Sequence, residues 1–301
     1  MSIIRISKTE WICALDDKTV GHFGAILVEL KVGPRKINAA WGVDLMVLPE
    51  YRKKGLGIAL VKEANQHFDA FLAIGGNDMS SSLFIKMGWT YLGKVPYYIR
   101  VLDPDTLFKS KGKNLFMPVL VKIYNYLNKP VKPDGVEVGV IDNFKEEADL
   151  FWREIERFYK IIIPRNKAYL NRKYDLRPEK HYVRFRAARG KQVCGYLIAR
   201  ITKTESDYTE GLIVDIIVRP NDKNTVRALI FTALKYLKSE NCSIVRCCIN
   251  NKDIEKIIAS CGFIKRKPHM RFLIKKNIDG LEELYRLDNW HITSGDSDID
   301  R

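Results

Sequence analysis

Short apolar runs alternate with polar stretches along the chain, and their period switches between that of strands and that of helices. The first part of the chain predicts strands near 22–31, 39–47, 70–74 and 95–102, and helices near 56–69 and 78–87. Later, VEVGVI at 136–141 predicts a strand, and 144–159 predicts an amphipathic helix. This alternation indicates an α/β protein (α+β mixed sheet) in which helices pack on the sheet.

An internal repeat divides the chain into two copies of this pattern. VDLMVLP at 43–49 recurs as VDIIVRP at 214–220. Single residues recur in the same order, since Gly24 matches Gly195, Asn77 matches Asn251, and Gly88 matches Gly262. Chance similarity between apolar strands does not keep glycine, aspartate and asparagine in one order, so the repeat indicates two tandem domains.

The stretch 44–59, DLMVLPEYRKKGLGIA, joins an apolar strand, a proline and a basic turn that opens into a helix. Arg52, Gly55 and Gly57 are spaced RxxGxG, and Lys53 and Lys54 add charge between them. Glycine lets backbone N–H groups point outward at a ligand, and the start of a helix carries partial positive charge. The stretch therefore predicts a seat for a pyrophosphate group.

This stretch resembles the acyl-CoA-binding motif of the GNAT superfamily of N-acyltransferases, which reads (Q/R)xxGx(G/A) after a strand ending in VxP. Val47, Leu48 and Pro49 supply that ending. The resemblance implies two tandem GNAT-like domains and acetyl-CoA as the co-substrate. It assigns to the cofactor Leu45, Val47, Arg52, Lys53, Lys54, Gly55, Leu56, Gly57 and Asn77.

The second copy departs from the motif, because KNTVRA at 223–228 stands where the first copy has RKKGLG. Val226 replaces Gly55, and its β-branched side chain would stand where the backbone must approach a phosphate. We therefore expect the second copy to have lost cofactor binding. The predicted parts are an acyl-CoA-binding domain at 1–102, a basic linker helix at 103–134, a degenerate domain at 135–276 and a polar, acidic tail at 277–301.

The first copy has few residues before its glycine-containing strand, so it is short of the front helices that usually wall the acceptor site in this superfamily. The second domain, the linker or another chain would have to close that side. Oligomeric state is left open.

The resemblance also suggests roles in catalysis. The backbone N–H of Val47 would polarise the thioester carbonyl, and the strand edge from Leu45 to Val47 would pair with the pantetheine arm. Asp44 is the candidate base, because the family often has a carboxylate at about this position. Asp215 is its equivalent in the second copy, which leaves a structural role shared by both aspartates open.

A second signature of the family, an asparagine followed by a tyrosine and a glycine-aromatic pair, is matched in part. Asn77 and the GW pair at 88–89 are present, but the tyrosine position is Phe84. A phenyl ring cannot protonate a departing thiolate. Water, Ser81 or Tyr91 would have to replace the acid, the thiolate would leave unprotonated, or the domain binds CoA with little turnover.

The net charge of +15 exceeds what one CoA needs and leaves an anionic acceptor, RNA or an anionic membrane surface as possible partners. The lysine-rich linker has Leu115, Val119, Ile123 and Tyr126 at helical spacing. It predicts either a basic interfacial helix or a linker helix packed on one domain with its lysines in water.

Cysteine and histidine spacing gives no sign of a metal site, because the six cysteines show no CxxC pattern and the histidines have no partners at ligand spacing. Buried, reduced thiols are expected instead. The sequence lacks a secretory leader and an apolar run long enough to cross a bilayer, which favours the cytoplasm.

The leading hypothesis is an acetyl-CoA-dependent N-acetyltransferase in which a small-molecule amine, possibly an amino sugar, attacks the thioester directly in a ternary complex. Nucleic acid is not an expected partner in that case. One alternative is a CoA-binding regulatory or scaffolding module with little turnover. Another is an aminoacyl-tRNA-dependent transferase of the peptidoglycan-bridge type, which the high pI fits but the intact pyrophosphate loop disfavours.

Overall fold

The computed structural model describes residues 2–110, 116–175, 181–205, 208–298 and 300. The strands are β1 (Ser2–Ser7), β2 (Glu10–Leu15), β3 (Lys18–Val32), β4 (Arg35–Val47), β5 (Ala70–Gly75), β6 (Thr90–Lys94), β7 (Tyr97–Val101), β8 (Glu137–Ile141), β9 (Ile161–Ile162), β10 (Tyr182–Arg189), β11 (Gln192–Lys203), β12 (Thr209–Val218), β13 (Cys242–Asn250), β14 (Ile264–Arg266), β15 (Arg271–Lys276) and β16 (Ile292–Thr293). The helices are α1 (Leu56–Asn65), α2 (Asp78–Lys86), α3 (Pro104–Ser110), α4 (Phe116–Leu127), α5 (Glu146–Ile155), α6 (Lys167–Tyr174), α7 (Lys223–Ser239) and α8 (Lys252–Ser260).

The strands form two mixed sheets, which confirms the predicted α/β class. The first sheet has the order β1-β2-β3-β4-β5-β15-β6, with β9 beside β3. The second has the order β14-β7-β13-β12-β11-β10-β8, with β16 beside β13. In each sheet one central pair, β4 with β5 and β12 with β13, is parallel. The repeat seen in the sequence is therefore a repeat of topology.

The two halves of the chain exchange a strand. Strand β15 lies between β5 and β6 in the first sheet, with Arg271 opposite Gly75 and Lys94. Strand β7 lies between β13 and β14 in the second sheet, with Ile99 opposite Arg246 and Ile264. The ranges 1–102 and 135–276 divide the sequence repeat, whereas the first sheet takes β9 and β15 from across that division and the second sheet takes β7.

The first sheet is covered on both faces. One face packs against α1 and α2 through a cluster that includes Phe23, Leu60 and Phe71. The opposite face packs against residues 161–163 and 281–292 from the second half. Phe272 lies at the centre of that second layer, with its ring 5.7 Å from Trp41 and 4.8 Å from Trp290. Buried aromatic rings such as these contribute strongly to burial energy and hold the halves together.

The first half lacks front helices, and of the three elements that were expected to replace them the second half covers part of its sheet. Residues 2–15 form β1 and β2, two strands that the apolar pattern did not reveal and that extend the first sheet. The second half does have front helices, α5 and α6, which cover its own sheet. Segments of the second half, rather than helices of the first, cover the remaining face of the first sheet.

Equivalent helix starts and turns support the repeat, but the hairpin register differs between the copies. Asn77 and Asn251 both cap a helix, and Gly88 and Gly262 both adopt positive φ, 78° and 79°. In the second half Val218 pairs with Gly195. In the first half its equivalent Val47 pairs with Gly21, so the match of Gly24 to Gly195 is wrong in structural terms.

Helix α1 ends at Asn65, earlier than the predicted residue 69. A side chain from another part of the chain supplies hydrogen bonds to the carbonyl groups at and after this end. The side-chain amide of Asn277 donates to the carbonyl oxygens of Asn65 at 2.6 Å and Phe68 at 2.8 Å. Carbonyl groups at a helix end need such partners, and here they come from the segment that follows the exchanged strand β15.

The linker and tail are both structured. The predicted linker at 103–134 contains two helices, α3 and α4, and Leu115 falls outside the described residues. The tail is polar in sequence, yet residues 290–297 are buried, with Ile292, Thr293 and Asp296 each at 1–2% exposure. Its polar side chains are therefore part of the protein interior, where they require partners.

Candidate functional site

A β-bulge shapes the end of β4. Pairing between β3 and β4 runs regularly to Gly24 opposite Val43, then resumes at His22 opposite Met46. Asp44 and Leu45 thus face one residue on β3, and Asp44 has a φ of 52°. A bulge bends its strand, and β4 pairs with β5 only as far as Trp41 opposite Leu72. Beyond that pair lies a gap between β4 and β5, here named the first opening.

The backbone of Val47 faces the first opening. The N–H of Leu48 donates to the carbonyl of Val20 on β3 at 3.0 Å. Successive N–H groups of a strand point to opposite edges, so the N–H and C=O of Val47 point away from β3. On that side Arg52 Nε donates to the Val47 carbonyl at 3.0 Å. The Val47 N–H therefore points into the first opening, between β4 and β5.

The loop after β4 uses left-handed backbone to turn into α1. A 3-10 turn at Pro49–Tyr51 is followed by Lys53 with φ 63° and Gly55 with φ 81°. A Cβ on Gly55 would meet nothing within 4 Å, so glycine is required there by conformation, and the space beside it is open. A Cβ on Gly57 would lie 3.8 Å from Leu83 and 3.9 Å from Val47, which is ordinary contact.

The loop concentrates positive charge. Arg52, Lys53 and Lys54 are exposed, and the Lys54 ammonium lies 5.1 Å from the centre of the Tyr51 ring. Among the described residues, no side chain caps the start of α1, and its first turn contains no acid. The first-turn N–H groups and the helix dipole therefore add to the three cations, which is the arrangement that favours a phosphate.

The equivalent loop of the second half has a different structure. Helix α7 begins at Lys223, so the residues that correspond to 52–55 are helical, and Val226 is buried in that helix. The carboxylate of Asp222 accepts from the N–H of Thr225 at 3.0 Å and from Arg189 at 2.8 Å. Burial raises the pKa of Asp222, but these hydrogen bonds outweigh it and lower the pKa. The start of α7 is thus already capped by the carboxylate of Asp222, whereas no described side chain caps the start of α1.

The tail fills the corresponding gap of the second half, the second opening, which begins beyond the pair Ile213 and Cys247. Strand β16 pairs with β13, placing Thr293 opposite Ile249. A Cβ on Gly295 would lie 3.3 Å from the Val214 carbonyl oxygen. The backbone of the tail therefore fills the second opening, where an added strand or a pantetheine arm would otherwise have to lie.

Asp215 lies at the centre of a buried ionic network beside the tail. Arg165 donates to Asp215 at 2.7 Å and to Asp296 at 2.6 Å, and all three side chains are at most 1% exposed. Thr293 and Tyr174 each donate to Asp215 at 3.0 Å. Burial raises the pKa of Asp215, but Arg165 outweighs it and lowers the pKa. This aspartate is an ionised structural group.

Asp44 has different surroundings from Asp215, its equivalent in sequence. Asp44 is exposed on the bulge, and its carbonyl oxygen lies 3.2 Å from Nδ1 of His22. The two aspartates thus differ in burial, since Asp215 lies in a buried ionic network and Asp44 is exposed. His22 has no metal-ligand spacing in the sequence, and only the cross-strand register, which no local pattern reveals, brings it beside the bulge.

The second signature contributes a cap and a core contact. Asn77 caps α2, accepting from the N–H of Ser80 at 2.9 Å, while Ser80 Oγ accepts from the N–H of Asn77. Phe84 is 8% exposed and stacks on Trp89 with ring centres 4.6 Å apart. Ser81 is buried and Tyr91 is 44% exposed. Phe84 thus serves as a packing residue.

A cavity of about 270 Å³ lies in the second half between the starts of α7 and α8. Val218, Lys223, Val226 and Asn251 are among its lining residues. The second half has therefore kept a groove beside the helix although its loop is helical. The described residues contain no group of three or more histidine, cysteine or acidic side chains that could hold a metal ion.

All six cysteines are buried, as predicted, and burial raises the pKa of Cys248 to about 11. Of the helices in the described part of the chain, none is long and apolar enough to cross a membrane.

Comparison with known proteins gives matches at the level of structure. No protein-family model and no curated protein sequence matches the chain. The N-myristoyltransferase of Saccharomyces cerevisiae with bound myristoyl-CoA aligns with a TM-score of 0.61 at 14% identity, over 87% of this chain and 68% of that one.

Two bacterial proteins align similarly. A GCN5-related N-acetyltransferase from Anabaena variabilis has a TM-score of 0.58 at 13% identity, over 89% of this chain and 62% of its own. A protein of unknown function from Enterococcus faecalis, described as a probable N-acyltransferase, has a TM-score of 0.60 at 15% identity, over 87% and 61%. The chain therefore has the GNAT fold, with two such domains in tandem.

Proposed function

We propose that the protein is an acyl-CoA-dependent N-acyltransferase whose first half holds the cofactor. The observation that carries this proposal is the contrast between the two halves. The first half combines an open strand edge with a cationic, left-handed loop at a helix start. The second half has a helix, a carboxylate and its own tail at those places.

In this proposal the cofactor lies along β4 and the loop. The first-turn N–H groups of α1 hold the pyrophosphate, and Arg52, Lys53 and Lys54 supply countercharge. The pantetheine arm follows the edge from Leu45 to Val47 in the manner of an added strand. The Val47 N–H donates to the thioester oxygen, which gains charge as the tetrahedral intermediate forms. Asn77 retains its capping role and would meet the cofactor through the start of α2.

The reaction requires few groups. The acceptor nitrogen attacks the thioester carbonyl carbon, the C–N bond forms and the C–S bond breaks, and the nitrogen gives up one proton. Asp44, exposed on the bulge beside His22, is the proposed base, acting directly or through water. Phe84 cannot donate a proton, so the CoA thiolate takes one from solvent.

We further propose acetyl-CoA as the simplest donor and a small amine, such as an amino sugar, as the acceptor. The acceptor would approach from the face of β4 that carries Asp44 and Met46, both of which are exposed. The fold itself is compatible with other acyl lengths, since one structural neighbour was solved with myristoyl-CoA.

Amine-dependent CoA release from acetyl-CoA, measured over a panel of amines that includes amino sugars, tests the reaction. Asp44→Asn is expected to lower turnover about 100-fold or more, the usual effect of losing a general base. Glu50→Gln, an exposed acid beside the loop, is the matched control and should leave turnover unchanged. Turnover by Asp44→Asn equal to wild type would contradict the assigned base.

The second candidate is a CoA-binding module with little turnover. The observation that favours it is the buried Phe84, which stacks on Trp89 where the family's acid would stand. Binding of acetyl-CoA without release for any amine in the panel would favour the module over the enzyme.

A further inference from the structure

Helix α4 turns its apolar side to solvent. Its exposed residues include Phe116 at 75%, Leu127 at 74% and Tyr126 at 82%. Met117, 43% exposed, lies to one side, while at 100° per residue the other six exposed apolar positions fall within about a third of the helix circumference. They form what we name the α4 stripe: Phe116, Val119, Leu120, Ile123, Tyr126 and Leu127. None of the residues of this helix is buried.

Polar contacts fix this orientation. The side-chain amide of Asn125 donates to the Val101 carbonyl at 2.8 Å, on the side opposite to the α4 stripe. At the end of the helix, Arg100 donates to the Asn128 carbonyl at 3.2 Å. An amphipathic helix ordinarily buries its apolar face, so an apolar helix face that is left in water marks an interaction surface.

Cations border the α4 stripe. Lys122 lies on the helix and pairs with Asp105 at 2.5 Å, and exposed Lys129 and Lys132 follow the helix on either side of Val131, which is 77% exposed. The acids in this part of the chain are Asp103, Asp105 and Asp134.

A second group of cations comes from the turn after α8. The Asn128 carbonyl lies close to Gly262, where a Cβ would approach it to 2.9 Å. Lys265, Arg266 and Lys267 are exposed just beyond that turn, with Lys265 3.5 Å from Glu255. Basic residues thus lie on two sides of an apolar surface.

We propose that the α4 stripe docks the protein on an anionic membrane surface. An apolar helix face bordered by lysines enters the boundary between headgroups and acyl chains, while the lysines meet anionic headgroups. A second copy of this chain is the less favourable occupant. A two-fold interface would bring the same lysines and the same excess positive charge face to face.

Co-sedimentation of the full chain with vesicles tests the proposal, and it needs no acyl-CoA. Vesicles of phosphatidylcholine and phosphatidylglycerol in equal amounts should bind the protein, and vesicles of phosphatidylcholine alone should bind it far less. Added salt should weaken binding, because the lysine contribution is screened.

Leu120→Glu is expected to weaken binding about ten-fold or more, since it removes an inserted side chain and adds a negative charge. Leu150→Glu on α5 is the matched control, because Leu150 is 61% exposed and Leu120 is 59% exposed. Equal binding by the two variants, equal binding to both vesicle types, or none to either would overturn the proposal. So would a dimer in light scattering that Leu120→Glu dissociates.

Discussion

At the scale of single residues, the two copies provide a comparison within one molecule. Gly55 and Val226 are equivalent in sequence, yet one holds a left-handed turn and the other lies inside a helix. The sequence predicts that the second copy has lost cofactor binding, on the steric ground of Val226, and this stays a prediction. The structure adds a second cause, because Asp222 already supplies a negative charge to that helix start.

Part of this was visible in the sequence. Aspartate three residues before threonine, as in Asp222 and Thr225, is a common helix-start pattern and could have placed the beginning of α7. The role of His22 could not have been found in this way. It depends on a bulge that shifts pairing between two strands, and bulges have weak local signals.

His291 makes stability depend on pH. Burial lowers its pKa to about 4, with Arg165 acting in the same direction, against about 6.5 in the unfolded chain. The contribution of neutral His291 to the free energy of unfolding is fully present above pH 6.5. It is lost as pH falls toward 4, since only the unfolded chain then binds the proton. Between pH 7 and pH 5 the loss is about 2 kcal/mol.

Urea unfolding of wild type and His291→Gln at both pH values measures this contribution. The variant is expected to lose about 2 kcal/mol less than wild type over that interval. The same pH dependence in both proteins would contradict a neutral, buried His291.

At the scale of elements, the repeat gave the order of strands and helices because periodicity and turn residues are local properties. The choice of the sheet that a strand joins, in contrast, depends on contacts between distant parts of the chain. Strands β7 and β15 are equivalent, because each is the last strand of its copy of the repeat. Either strand could therefore complete either sheet, and the sequence does not show whether the two copies exchange them. Burial at the end of the tail was missed for a related reason, because polar residues such as Thr293 and Asp296 suggest solvent exposure. Only the structure shows their buried partners, which are Asp215 for Thr293 and Arg165 for Asp296.

Arg165 is the buried cation that pairs with the tail, so Arg165→Met should loosen it. That variant leaves Asp215 and Asp296 buried without their cation, which typically costs about 3–5 kcal/mol. Arg189→Met breaks a half-exposed pair with Asp222 and should cost less than about 1 kcal/mol. Unfolding curves and proteolysis of the tail measure both effects, and equal losses in the two variants would argue against a tail latch.

At the scale of the whole molecule, strand exchange makes the two halves interdependent. The first sheet lacks a strand between β5 and β6 until β15 is present, and Trp41, Phe272 and Trp290 pack across the division. The fold of the first half therefore depends on a second half that has no such loop of its own. The second half serves as a structural partner, which explains how it can lose the loop and still retain its fold.

We expect the polypeptide 1–102 to remain unfolded on its own, because β5 and β6 would expose unpaired edges and an apolar face. The full chain should unfold in one calorimetric transition, since neither sheet is complete alone. Circular dichroism of the fragment and calorimetry of the full chain provide the measurements. A folded fragment or two separate transitions would mean that the halves are independent.

The central claim is that the loop of the first half alone holds CoA, and isothermal titration with acetyl-CoA tests it most directly. Gly55→Val should abolish binding, because valine resists φ of 81° and intrudes on the open space beside the loop. Gly135→Val is the control, since Gly135 has φ 74° and similar open surroundings away from the loop. We expect one binding site in wild type and in Gly135→Val, and none in Gly55→Val. Unchanged binding by Gly55→Val would contradict it.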